Sequence, residues 1–138
     1  MDRALNYLSL ARKAGLAELG EEPVGAITRA GKGYLVIVAS DASDHTWRRA
    51  KSFVAGTEQQ CIKVSYTKDE LGFVIGRTSL AIAAITDAAM AASLVKALPD
   101  VSKHTAVLAV LEEKAAKLKQ RKVEAKAHQR NVRFGKKK

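Results

Sequence analysis

Tyr34-Leu35-Val36-Ile37-Val38-Ala39 is apolar at every position, so as a strand it has no face to give to water. A strand of this kind sits at the centre of a sheet covered by helices on both sides, although periodicity alone also allows a buried helical segment. Before it, Gly20-Glu21-Glu22-Pro23 reads as a helix start. Two carboxylates and a proline in the first turn suit the positive end of a helix dipole and its unpaired amides. Gly31 is placed to take the left-handed conformation that closes the helix, and Ser40-Asp41-Ala42-Ser43 follows the strand as a polar loop. Gly20 to Ser43 thus offers a backbone platform at two adjacent loops.

The alternation extends to both sides. Leu5, Leu8 and Ala11 recur at helical spacing, with Arg3, Asn6, Arg12 and Lys13 left to solvent and Gly15 where a C-terminal cap belongs. Leu16 to Leu19 is a short strand or an extended link. Ser43 or Asp44 caps a third helix in which Trp47, Ala50 and Val54 share a face. Ile62, Val64 and Tyr66 alternate as in a strand, and Lys68 to Ile75 reads as a short helix. After the polar loop Gly76-Arg77-Thr78-Ser79, Leu80 to Ile85 forms a buried strand, and Thr86 or Asp87 caps a helix with Met90, Leu94 and Leu98 in register. Strand and helix alternating from Tyr34 to Leu98 predict an α/β layer fold with helices on both faces of a sheet.

Charge divides the chain differently. Residues 1–100 hold 12 Lys+Arg against 11 Asp+Glu, whereas residues 101–138 hold 12 against 3, giving nets of +1 and +9. With Pro99-Asp100 as the boundary, the expected organisation is a domain over residues 1–98 and a basic C-terminal extension over 99–138. Leu108, Leu111, Ala115 and Leu118 make a modest stripe, so Thr105 to about Ala127 is expected as an exposed helix. From Gln129 to Lys138 apolar residues nearly vanish, and disorder is expected.

Several function classes find no support. The Met1-Asp2-Arg3 start lacks the layout of a signal peptide, and the longest apolar runs, such as Leu80 to Ile85, are too short to span a bilayer, so a cytoplasmic protein is expected. Cys61 has no partner for an internal disulfide and reads as a small buried hydrophobe. His45, His104 and His128 lack the companions a zinc site needs. Gly31-Lys32-Gly33 precedes its strand and lacks the Lys-Ser/Thr of a phosphate-binding loop. Ser40, Asp41, Ser43 and His45 lie close in sequence, but a strand end and a helix cap account for the first three, and no nucleophile–base–orienter set is marked. No catalytic residue, metal or cofactor is expected.

Ser9-Leu10-Ala11-Arg12-Lys13-Ala14-Gly15, Gly20 to Gly31, Leu35 to Ser43, Glu70-Leu71-Gly72 with Ile75-Gly76, and Ile85-Thr86-Asp87 together resemble, in order and spacing, the kink-turn-binding ribosomal protein family known as L-seven-Ae and L-thirty-e, in its small bacterial branch. The resemblance runs from about Leu5 to Leu98 and does not cover the tail. It implies a three-layer α/β/α sandwich with a mixed sheet of about four strands, and RNA binding without catalysis. In that family a sharply bent duplex is gripped by the start of the second helix and the loop before the last strand. Carried over, these are Gly20 to Ala26 and Gly76, Arg77, Thr78, Ser79 and Leu80. A helix N-terminus offers amides to phosphates, and a glycine lets backbone come close. Glu21 or Glu22 would repel phosphate but can accept hydrogen bonds from guanine's amino and imino groups, so an acid here reads bases.

The chain departs from the family pattern at Glu22-Pro23, at Ala26 where a lysine is usual, and at Arg77 and Ser79 where aliphatic residues meet an unstacked base. Leu80 is left as the bulky apolar candidate there. Arg12 and Lys13 are either phosphate anchors or favourable charge at a helix end. Lys32, between two glycines at a helix-to-strand turn, is well placed for phosphate. Trp47 beside Arg48 and Arg49 either stacks on a base or packs, and its register with Ala50 and Val54 favours packing. The expected partner is structured RNA, above all ribosomal RNA, with ribosomal or assembly-factor proteins beside it, bound by a monomer. Two alternatives stand: a protein-interaction module of the same fold whose tail alone holds nucleic acid, and the substrate-binding subunit of an RNA-modifying complex.

Overall fold

Two apolar four-residue strands, β2 (Leu35–Val38) and β4 (Ile82–Ile85), are buried at every position and pair at the centre of a sheet. The computed structural model describes residues 2–135, with side chains through Lys126. The remaining elements are α1 (Arg3–Lys13), β1 (Ala17–Leu19), α2 (Glu21–Arg29), α3 (Asp44–Val54), β3 (Gln60–Lys63), α4 (Lys68–Val74), α5 (Ala88–Lys96), a 3-10 turn (Val101–His104) and α6 (Thr105–Gly135). The sheet order is β1-β4-β2-β3, with β4 antiparallel to both neighbours and β3 parallel to β2.

Alternation sorts the side chains into two cores. Leu35, Ile37, Ile62, Val64, Ala83 and Ile85 point to one face, where Leu8, Ala11, Leu71 and Leu94 of α1, α4 and α5 cover them. Val36, Val38, Ile82 and Ala84 point to the other, under Val24 of α2 and Ala50 of α3. The architecture is the expected α/β/α sandwich on a mixed four-stranded sheet.

Local chemistry sets the ends. Asp2 caps α1, accepting the Ala4 N–H at 2.9 Å. Of the alternatives weighed, Ser43 caps α3 and Asp87 caps α5, accepting the N–H groups of Thr46 at 3.1 Å and Met90 at 2.8 Å. Thr67 and Glu70 cap α4 reciprocally. Strand β4 starts at Ile82, because Leu80 still belongs to the preceding loop.

The segment beyond Leu98 differs from its expectation. Leu111 is 1 % exposed and lies in the same buried cluster as Leu8 and Leu94, with Val107 and Leu108 packed against it. The first half of α6 is therefore a fourth helix on that face, where an exposed helix was expected. The backbone stays helical past Ala127 to Gly135, where disorder was expected from Gln129; residues 136–138 lie outside the described ones. Ala, Lys, Glu, Gln and Arg are strong helix formers, so propensity carries the helix on after its apolar stripe ends. No helix among the described residues is long and apolar enough to cross a membrane.

Leu111→Ala should cost about 2–5 kcal/mol through the cavity it leaves, measured as a lower urea midpoint. The exposed Val123→Ala should change it by less than about 0.5 kcal/mol. An unchanged midpoint in Leu111→Ala would mean that α6 is not part of the core.

Candidate nucleic-acid interface

Gly20 is the N-cap of α2 at φ 98°, ψ 162°, a conformation essentially closed to residues with a Cβ. Its N–H donates to the Ile82 carbonyl at 3.0 Å, and its carbonyl accepts the Val24 N–H at 3.0 Å. No side chain caps the helix, so the Glu21 and Glu22 amides are left for solvent or a ligand. One residue away, the Ala39 N–H donates to the Ala81 carbonyl at 2.9 Å. The start of α2, the end of β2 and the entry into β4 therefore meet at one end of the sheet.

The loop before β4 is built from α4. Gly76, at φ 74°, ends that helix in a Schellman arrangement: its N–H donates to Phe73 O at 3.3 Å, and Arg77 N–H to Gly72 O at 2.9 Å. The loop then crosses α4 so closely that a Cβ on Gly72 would lie 2.6 Å from Ser79 Cα. Leu80 N–H donates to Lys68 O at 2.9 Å, and Lys68 N–H to Asp41 Oδ1 at 2.8 Å, which ties in the loop after β2. Arg77, Thr78 and Ser79 are exposed. Leu80 is not: at 3 % exposure its side chain anchors the loop in the core.

The two carboxylates separate in role. Glu21 is ion-paired to Arg49 of α3, Oε1 to Nε at 2.5 Å. The Arg49 guanidinium also lies over the Phe53 ring, 5.3 Å from its centroid, and Phe53 in turn packs where Gly25 leaves room. Glu22 is exposed and in no ion pair among the described residues. The base-reading role expected for either acid therefore has one unengaged candidate, Glu22. Arg49 was visible in the sequence only as charge beside Trp47, because an α2–α3 contact leaves no mark in either helix's own period.

Arg12, Lys13 and Lys32 do not join this group. Ala17, which follows α1, pairs with Ile85, and Leu35, which follows Lys32, pairs with Ile85 from the other side. All three cations are exposed at the opposite end of a sheet about 10 Å long. Helix α6 runs toward that same end. Lys114 pairs with Glu58, just before β3, at 2.7 Å and draws the Glu58 carboxyl below its usual range, while Lys119 and Lys122 share a groove with Asp87 at the start of α5. Cys61 is inert as a nucleophile, its thiol pushed up to about 12 by burial.

No protein-family model matches the chain, and no curated protein matches it. Among solved structures, a Bacillus halodurans protein of unknown function superposes with a TM-score of 0.65 at 27% identity, over 70% of this chain and 96% of that one. A Giardia lamblia 15.5kD RNA binding protein superposes with a TM-score of 0.59 at 19% identity, over 75% of this chain and 85% of that one. Both share the fold.

Gly72→Ala should force Ser79 away from α4, costing about 1–3 kcal/mol as overpacking does. The amide NMR signals of Arg77 to Leu80 should move while those of α5 stay. Unmoved loop signals would contradict the close crossing.

Proposed function

We propose that this chain is a non-catalytic RNA-binding protein of the kink-turn-binding ribosomal type, acting as a cytoplasmic monomer on structured RNA, in the first instance ribosomal RNA. One observation carries the reading: the uncapped start of α2 is bonded to the entry into β4 by Gly20–Ile82, beside the Ala39–Ala81 bond, and the loop Gly76–Ser79 leads directly into that entry. These are the two segments that the family resemblance assigns to RNA. The shared fold of the Giardia RNA-binding protein supports the same class of partner. In this reading the amides of Glu21 and Glu22 and the hydroxyls of Thr78 and Ser79 meet phosphates, and the Glu22 carboxylate accepts from a guanine edge. The basic second half of α6, with Arg12, Lys13 and Lys32 at the same end of the sheet, supplies attraction that does not depend on sequence.

A second reading rests on Phe73, which is 79% exposed on α4 with Leu5 and Val74 beside it and Asp69 and Glu70 at its edge. An exposed aromatic with an acidic rim suits a basic protein partner, so the fold would act as a protein-interaction module while the tail alone holds nucleic acid. An RNA-modifying complex would use either surface through a separate catalytic subunit.

The full chain should bind a kink-turn RNA more tightly than a straight duplex of equal length. Glu22→Ala should remove about 1–3 kcal/mol of that discrimination, the range of one base-reading pair, with little loss on the straight duplex. Equal affinity of the unaltered chain for both RNAs would remove the body's assigned role, and an unaffected Glu22→Ala would favour the protein-interaction reading. Truncation after Gln120, which spares Leu111, should weaken binding to both RNAs alike and flatten its salt dependence. A loss confined to the kink-turn would contradict the tail's assigned role.

A further inference from the structure

The indole of Trp47 carries two ammonium groups from different elements. Lys51 Nζ, one helical turn on in α3, lies 5.2 Å from the ring centroid, and Lys63 Nζ of the edge strand β3 lies 5.1 Å from it. Strand alternation puts Lys63 on the α3 side of the sheet: Ile62 enters the opposite core, while Cys61 packs with Trp47 on this one. Both lysines are exposed. Holding two like charges beside one ring costs repulsion, which the ring's negative face offsets in part.

Neighbouring cations are already matched. Arg48 is hydrogen-bonded and ion-paired to Asp44, which holds that carboxyl below its usual range, and Arg49 is paired to Glu21. Lys51 and Lys63 are in no ion pair among the described residues. Their charges also reach Asp44, but that single carboxylate is committed to Arg48. The arginine side of α3 is thus neutralised, and the lysine side carries two uncompensated charges on an aromatic support.

The patch lies at the same end of the sheet as the candidate interface. Lys63 pairs in register with Val38, the last residue of β2, and Trp47 is in the first turn of α3, which starts just after the Ala39–Ala81 junction. The Glu21–Arg49 pair joins the start of α2 to α3.

We propose that Trp47, Lys51 and Lys63 form a second phosphate-backbone contact, which extends the RNA interface from the start of α2 across α3 to the β3 edge. The proposal rests on the RNA-binding reading above. Its ligand is the sugar–phosphate backbone of the RNA strand leaving the α2 site. A phosphate drawn between the two ammonium groups gains charge-assisted contacts and releases counterions without reading a base. Trp47 sets the spacing of the two lysines and acts as a positioning residue.

The test uses the full chain and a kink-turn RNA, titrated over a range of salt. The double variant K51Q/K63Q should flatten the slope of log K against log salt by about 1.8, at about 0.9 for each lost contact as in B-form duplexes, and weaken binding on the order of tenfold at 0.15 M. Its preference for kink-turn over straight duplex should remain. K51R/K63R, which keeps both charges, should retain the slope, and this separates a lost contact from a disturbed edge. Trp47 is the only tryptophan in the chain, so its emission should shift on RNA binding in the unaltered protein and not in K51Q/K63Q. An unchanged slope with unchanged Trp47 emission would overturn this contact and leave the proposed function standing. Absence of RNA binding by the unaltered chain would overturn both.

Discussion

Strand β4 is the last strand in the chain, and it goes in between the first two. Because it pairs antiparallel with β1 on one side and β2 on the other, its carbonyl at Ile82 receives Gly20 while that of Ala81 receives Ala39. Three chain positions far apart in sequence become neighbours through backbone hydrogen bonds alone. The energy behind the insertion is apolar: Ile82, Ala83, Ala84 and Ile85 are buried alternately in the two cores. Slipping β4 by one residue would exchange its faces and separate Gly20 from the loop at the same time. The candidate site is in this sense a by-product of sheet register, which explains why the parts assigned to it are glycines and amides more than distinctive side chains.

That origin also bounds what the sequence discloses. An element's own period reports which of its faces is apolar, so the two buried strands and the Ile62-Val64-Tyr66 alternation were legible, and the α3 cap was narrowed to Ser43 or Asp44. Gly20 was legible as a helix start, and its family resemblance singled it out for RNA. Partners across elements were not legible. Glu21 and Arg49 are each ordinary helix-surface residues until α2 and α3 are laid side by side, and Gly72 shows its purpose only when Ser79 crosses it. Leu80 was read two ways, as the start of a buried strand and, through the resemblance, as an apolar contact for a base; its side chain is buried as the first reading had it, while its backbone bond to Lys68 keeps it in the loop ahead of β4. Lys32, Arg12 and Lys13 were grouped by charge, and register places them at the far end.

Helix α6 divides its work along its length. Its first turns are paid for by burial of Leu111 against α5, and pairs such as Lys117 with Glu113 and Gln120 with Glu124 support the exposed stretch locally. A helix of 31 residues reaches about 46 Å, several times the length of the sheet, so its cations extend well away from the α2 site. In the proposed reading, a strand of RNA would have to span that distance to touch both.

The separation has an energetic consequence. A phosphate contact made by a lysine on α6 raises affinity for any RNA equally and cannot change the ratio of two RNAs that differ only in shape. In the proposed reading, shape preference would arise where backbone geometry is rigid, at the Gly20–Ile82 junction and the loop crossing Gly72. Two free carboxylates there would oppose any phosphate drawn to the α2 amides. Arg49 cancels one of them, leaving Glu22 as a single acceptor beside unpaired donors. The Glu21–Arg49 pair is half exposed and adds little to stability. Its effect is electrostatic: in the proposed RNA-binding reading it sets how much negative charge an approaching strand would meet at the start of α2.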